Sequence, residues 1–167
     1  VFRFRRKDGS YVWSETTIHY IYSGEGDIQE LVCVTRDIAE RKQYEMKLQE
    51  SQNRYKSLFE YNPSAISAMD LEGHTLSVNS SFQLLTGYSR ESLLLSNYNE
   101  IIDPDEIEYV NKRFESAANG LAQTFESRLI HREGHAVEVS VIYVPIMVNN
   151  QVVGVFGITS DITERKR

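Results

Sequence analysis

Six residues near the start of the chain, Asp37-Ile-Ala-Glu-Arg-Lys42, return at its end as Asp161-Ile-Thr-Glu-Arg-Lys166. An internal repeat constrains a fold more than an isolated motif does, because both copies must satisfy the same local geometry. Here the similarity reaches well upstream of the hexads. Each is preceded by a charged turn (Lys7-Asp8-Gly9 and Arg132-Glu133-Gly134), an alternating strand, a polar turn and a last apolar strand. Gly9 lies 28 positions before Asp37 and Gly134 lies 27 before Asp161, so one extra hairpin residue separates the copies. The match pairs residues 4–42 with 129–166. The first copy therefore reads as the end of a unit whose beginning is missing, and the chain reads as an excerpt.

The second copy predicts three antiparallel strands. They are Thr124–Ile130, Ala136–Val148 after the Glu133-Gly134 turn, and Val152–Ser160 after the tight-turn pair Asn149-Asn150. In the middle strand Val137, Val139, Val141 and Tyr143 share one face, while Ile142, Val144 and Ile146 make the second half of the other face apolar too. That half needs cover on both sides, from the core and from a helix or a partner. Between the copies, Asp37 to Tyr61 has no Gly or Pro and is rich in Glu, Gln, Lys and Arg, which predicts a long helix. Asp37 with Glu40, and Asp161 with Glu164, have capping-box spacing. Tyr44, Leu48, Ser51, Tyr55 and Leu58 follow 4-3-4-3 spacing, consistent either with a short coiled-coil seam or with an amphipathic helix lying on its own domain's sheet. After Asn62-Pro63 come a hairpin (Ala65–Asp70 and His74–Val78), a short helix with Phe82, Leu84 and Leu85 capped by Asn79 or Ser80 and ended by Gly87, and a helical turn at Arg90–Leu95. A longer helix, opened by Asp103-Pro104-Asp105, runs to Asn119 with Ile107, Val110 and Phe114 on one face.

Composition removes several function classes. A net charge of −6 argues against a nucleic-acid module, and the cluster Arg3, Arg5, Arg6 and Lys7 alternates with aromatics as a solvated strand face does. The single cysteine, Cys33, allows no internal disulfide and fits a reducing, cytoplasmic setting. No apolar run approaches the roughly 20 residues of a membrane helix, so no direct membrane contact is expected. The histidines His19, His74, His131 and His135 lie on strands and turns. His131 and His135 are four apart but flank a turn instead of sharing a helical face, so no metal site is expected from their spacing. No phosphate loop, activated nucleophile or catalytic carboxylate pair is visible, and the segment is expected not to be an enzyme.

This order of elements resembles the PAS family of sensory domains, and local motifs agree. Asn62-Pro63 before Ala65-Ile66 resembles the lead-in to the family's first strand. Val78-Asn79-Ser80-Ser81-Phe82 through Leu85-Thr86-Gly87-Tyr88-Ser89 is similar to its second strand and first helix. His131-Arg132-Glu133-Gly134 resembles its charged turn, and Asp161-Ile-Thr-Glu-Arg-Lys166 the motif that leads into its output helix. The resemblance implies an α+β PAS fold, a five-stranded antiparallel sheet with short helices on one face. Residues 1–38 would be the C-terminal strands of a truncated upstream domain, 39–61 a helical linker, 62–162 a complete domain and 163–167 the start of an output helix. Flavin-adduct members carry a reactive Cys where this chain has Ser96-Asn97-Tyr98-Asn99-Glu100. Haem-binding members usually present a His from the helix that here spans Asp105–Asn119, which has none. Neither cofactor is expected; an unidentified small ligand is compatible with the family.

Two function classes follow from the resemblance. In one, the complete domain senses a small molecule held by Ser67, Met69, Phe82, Tyr98, Phe114 and Arg128. In the other it is a ligand-free dimerisation and relay module, and every one of those residues is core packing. Either way Asp37 and Glu40, and Asp161, Thr163, Glu164 and Arg165, form the signal junctions. The implied partners are a second copy, through the linker helices and the sheet face, and covalently linked PAS and output domains. Tandem arrays of this kind most often feed a histidine kinase or a cyclic-di-GMP cyclase or phosphodiesterase in bacteria.

Overall fold

A computed structural model describes residues 1–166, in two compact units, Val1–Tyr55 and Lys56 onward. In the first, β1 (Phe2–Arg5), β2 (Tyr11–Tyr22) and β3 (Ile28–Asp37) form an antiparallel sheet in that order. The helix α1 (Ala39–Glu60) follows and carries its chain into the second unit. Its surface is laced with i, i+4 contacts, Arg41 with Glu45 and Arg54 with Glu50, which suit an exposed helix. None of its residues is buried, and Tyr44, Leu48, Ser51, Tyr55 and Leu58 are all exposed.

The second unit contains β4 (Ala65–Met69), β5 (Thr75–Val78), α2 (Ser80–Thr86), α3 (Arg90–Leu94), two 3-10 turns (Tyr98–Ile101 and Pro104–Glu106) and α4 (Ile107–Ala118). It closes with β6 (Gln123–Ile130), β7 (Ala136–Val148), β8 (Gln151–Asp161) and the short α5 (Thr163–Lys166). The five strands pair antiparallel in the order β5-β4-β8-β7-β6, so β8, last in sequence, lies in the middle. Val137, Val139, Val141 and Tyr143 are buried on the inner face of β7 against Val110 and Phe114 of α4 and Phe82 of α2. The opposite face keeps Ile142 exposed and Val144 and Ile146 half-buried.

Asn79 caps α2, its side chain accepting the Phe82 amide, and Gly87 ends the helix in the left-handed conformation (φ 75°) that an L side chain resists. Asn149 and Asn150 both take positive φ, 51° and 61°, as a two-residue hairpin turn between right-twisted strands requires. One helix boundary differs from the sequence expectation. Asp103-Pro104-Asp105 opens a 3-10 turn, and the α-helix starts only at Ile107. The reason lies in Glu106: it makes no cap, and its carboxylate instead accepts bonds from Ser127 Oγ and from the Arg128 amide (2.7 Å).

The repeat extends to backbone detail. In the charged turns, Arg6 N–H bonds Ser10 O as His131 N–H bonds His135 O. Ser14 pairs with Asp37 as Val139 pairs with Asp161, and the register of each hairpin slips at the corresponding place, after Ile21 and after Ile146. Five residues then separate Tyr22 from its partner Ile28, and four separate Met147 from Val152, which accounts for the extra residue.

Candidate functional site

The inner face of the five-stranded sheet and its covering helices leave a small cavity of about 30 Å³. That is room for one or two water molecules, against the several hundred Å³ of a typical small-molecule site. Of the residues expected there, Ser67 and Met69 on β4, Phe82 on α2 and Tyr98 on the first 3-10 turn line it. Phe114 stands behind Tyr98, stacked on its ring at 4.7 Å, and meets Tyr143 edge-on at 5.9 Å. Arg128 lies elsewhere. Its Nε reaches Glu106 (3.1 Å) and Asp103 (3.3 Å), fastening β6 to the second 3-10 turn. Successive residues of a strand face opposite sides, and the cavity takes Ser127 and Leu129, the neighbours of Arg128.

Tyr143, Thr159 and Val141 also line the cavity and were missed as lining residues, although Tyr143 and Val141 stood on the apolar face already recognised in the sequence. Ser67, Thr159 and Tyr143 bring hydroxyl-bearing side chains to this lining, and Tyr98 Oη donates to Asn111 (2.6 Å). Burial, with the Glu115 charge adding to it, pushes the Tyr98 phenol up to about 12. Tyr143 is raised further by complete burial and by the neighbouring Tyr98. Both phenols therefore stay neutral donors at physiological pH.

The junctions after β3 and β8 are built alike. Asp37 Oδ1 accepts the Ala39 amide (2.8 Å) and Asp161 Oδ1 the Thr163 amide (2.8 Å). Ile38 and Ile162 are both buried, and their amides bond the carbonyls of Trp13 (2.9 Å) and Glu138 (2.8 Å), corresponding positions of the central strands. Thr163 Oγ1 accepts the Glu138 amide (3.2 Å). Lys42 sits over the Trp13 ring at 5.7 Å, while Lys166 binds Glu138 at 3.0 Å and Glu126 at 2.8 Å. The capping-box expectation is corrected here. Each Asp comes one residue too early, before the buried Ile, and forms a side-chain turn to the amide two residues on. The return bonds from Glu40 and Glu164 are not formed among the described residues, and Arg165 is an exposed neighbour of the Lys166 cluster.

The charged turn between β6 and β7 brings together a third group. His131, Glu133 and His135 place their ligand atoms within 4.8 Å of one another. The sequence reading placed the two histidines on either side of a turn and expected no metal site from a spacing that is not that of a helical face. Across a hairpin turn, residues four apart become opposite neighbours.

Two family models match the chain, one described as PAS fold over residues 75–159 and one as PAS domain over residues 2–40. Among solved structures, the PAS domain of a Colwellia psychrerythraea protein is 33% identical with a TM-score of 0.63, the match covering 68% of this chain and 98% of that one. A PAS domain of an HTR-like protein from Haloarcula marismortui is 25% identical with a TM-score of 0.62, covering 72% and 99%. A curated relative, the biofilm dispersion protein BdlA of Pseudomonas aeruginosa, is 24% identical over 96% of this chain, which spans 38% of that relative's length. With a family model matching half of the chain and a 33% identical PAS domain covered over 98% of its length, the chain belongs to the PAS domain family.

Proposed function

We propose that this chain is a non-enzymatic sensory and relay segment of a multidomain signal-transduction protein, acting in the cytoplasm and passing conformational change from its sheets into the helices that follow them. The observation that carries this reading is the duplicated junction. Two different sequences hold a helix start to the central strand with the same amide-to-carbonyl bond, the same buried isoleucine and the same lysine reaching back. A displacement of β2 or β7 then moves the first turn of the next helix directly. The similarity to a protein of biofilm dispersion is consistent with signalling. The output proposed is a histidine kinase or a cyclic-di-GMP cyclase or phosphodiesterase. The exposed seam of α1 and the apolar outer face of β7 suit a homodimer.

The test is Asp161→Ala in the intact protein. Loss of the side-chain turn costs about 1 kcal/mol of stability, as for a helix cap, and regulation of the output changes by more than that loss explains. Unchanged regulation would refute the relay role. A second reading, a small polar ligand in the interior, is favoured by the hydroxyl-bearing Ser67, Thr159 and Tyr143 among the otherwise apolar lining, since a few placed polar groups in an apolar pocket are what orients a ligand. A native mass equal to the sum of the polypeptide masses would exclude a retained ligand.

A further inference from the structure

We propose that His131, Glu133 and His135 form a binding site for one divalent transition-metal ion of the Zn²⁺ or Ni²⁺ class. Two neutral imidazoles and one carboxylate are the donor set such ions take, leaving further positions for water. Glu133 Oε2 lies 3.7 Å from His131 Nδ1 and 4.0 Å from His135 Nδ1. Two ligands on one tetrahedral ion, each about 2.0–2.1 Å from it, are about 3.3 Å apart, so a group whose ligand atoms lie within 4.8 Å of one another need contract by at most about 1.5 Å. Among the described residues it is the one place where three such donors meet.

The turn provides a fixed side and a movable side. His131 is held: its side chain is largely covered, and its ring packs so closely on Gly87 at the end of α2 that a Cβ there would run into it. The Glu133 amide donates to His131 Nδ1 at a long 3.2 Å, so a metal taking that nitrogen would displace one weak bond. His135 and Glu133 are exposed and free to adjust. At present the two imidazoles are stacked, centroids 4.4 Å apart and planes at 23°, so their in-plane lone pairs run nearly parallel. Binding requires the exposed His135 ring to turn out of the stack, which gives the site a structural signature. The corresponding turn of the first sheet has the same backbone bonds but carries Arg6, Asp8 and Ser10 and offers no such donor set.

The experiment is calorimetric titration of the untagged chain with NiCl₂ and with ZnCl₂ at neutral pH, together with NMR of the histidine ring protons. One equivalent is expected to bind, shifting or broadening His131 and His135 while sparing His19 and His74. His135→Ala and Glu133→Gln each remove an exposed ligand and should weaken binding by at least about tenfold, the lower end for disturbing even an outer-shell partner. A His19→Gln, His74→Gln double variant should bind as the parent does. Absence of one-equivalent binding, affinity unchanged in His135→Ala, or loss of binding in the double variant would each overturn the site.

Discussion

The two copies of the repeat share turns, register, bulge and exit junction, yet their side chains live in different environments. Val155 of β8 is 0% exposed, whereas Leu31, its counterpart in β3, is 51% exposed; Leu129 of β6 is 4% exposed and its counterpart Phe4 44%. In the second copy β8 pairs with β7 on one side and β4 on the other, and helices α2 to α4 cover the inner face. In the first copy β3 pairs only with β2. Local sequence thus specifies which residues turn, pair and bulge. Burial comes from β4, β5 and the helices that pack around the second copy.

The largest difference should appear in amide exchange on a dilute, monomeric sample. Residues 137–144 are expected to exchange only on global opening. Residues 11–22 and 28–35, with an apolar face uncovered and an open edge, should exchange orders of magnitude faster. Comparable protection in both stretches would mean that a three-stranded sheet folds unaided, and the comparison would fail.

Paired substitutions sharpen it at single positions. Leu129→Ala leaves a cavity in a packed core and should cost about 2–5 kcal/mol. Phe4→Ala, at the corresponding position, should cost less than about 0.5 kcal/mol, as exposed substitutions do. The chain's one tryptophan, Trp13, reports the first sheet in a urea titration, and the amide NMR signals of β7 follow the second unit. Equal shifts at the two positions would show a hidden core around Phe4.

A smaller effect separates the copies by pH. Desolvation raises the Glu106 carboxyl, but the bonds from Ser127 and Arg128 outweigh it and hold the group below its ordinary 4.5. A depressed folded-state value stabilises fully above the ordinary glutamate range and is lost as pH falls through the depressed value. Acid should therefore loosen the attachment of β6 to the start of α4. Glu106→Gln should cost about 2 kcal/mol at neutral pH, the scale of a hydrogen bond to a charged group, and flatten that acid limb. The position in β1 that corresponds to Arg128 is Arg3, which is placed over the Tyr11 and Trp13 rings, so the first sheet should show no such limb. Identical acid profiles for Glu106→Gln and the parent would remove the attachment from the account.

The fold was legible because its signals are local and repeated. The turn glycines, Asn149-Asn150, the alternation of β7 and the Asn79 cap each fix one boundary. The site was only partly legible. Ser67, Met69, Phe82 and Tyr98 follow from strand alternation and aromatic placement. Arg128 was assigned to the cavity one residue out of phase, and a strand permits no such error, because every single step reverses the face. The meeting of His131, Glu133 and His135 depends on the hairpin that bonds residue 131 to residue 135, a contact that sequence spacing alone does not represent.

Asn79 is wholly buried, and its one amide meets five backbone groups, the Asn62 carbonyl at a long 3.5 Å and four others within about 3 Å. It accepts from Ile66 and Phe82 (2.9 and 3.0 Å) and donates to the carbonyls of Phe59 and Ser64 (both 2.9 Å). The last turn of α1, the first strand of the domain and the first turn of α2 are therefore geared to a single planar group. A rotation of α1 about its axis that carries the Phe59 carbonyl sideways has no slack to absorb it. It must tilt the amide, and the tilt is felt by β4 and α2 together. On the relay reading proposed above, this one amide would couple the end of α1 to β4 and α2 in either direction, with nothing entering the interior.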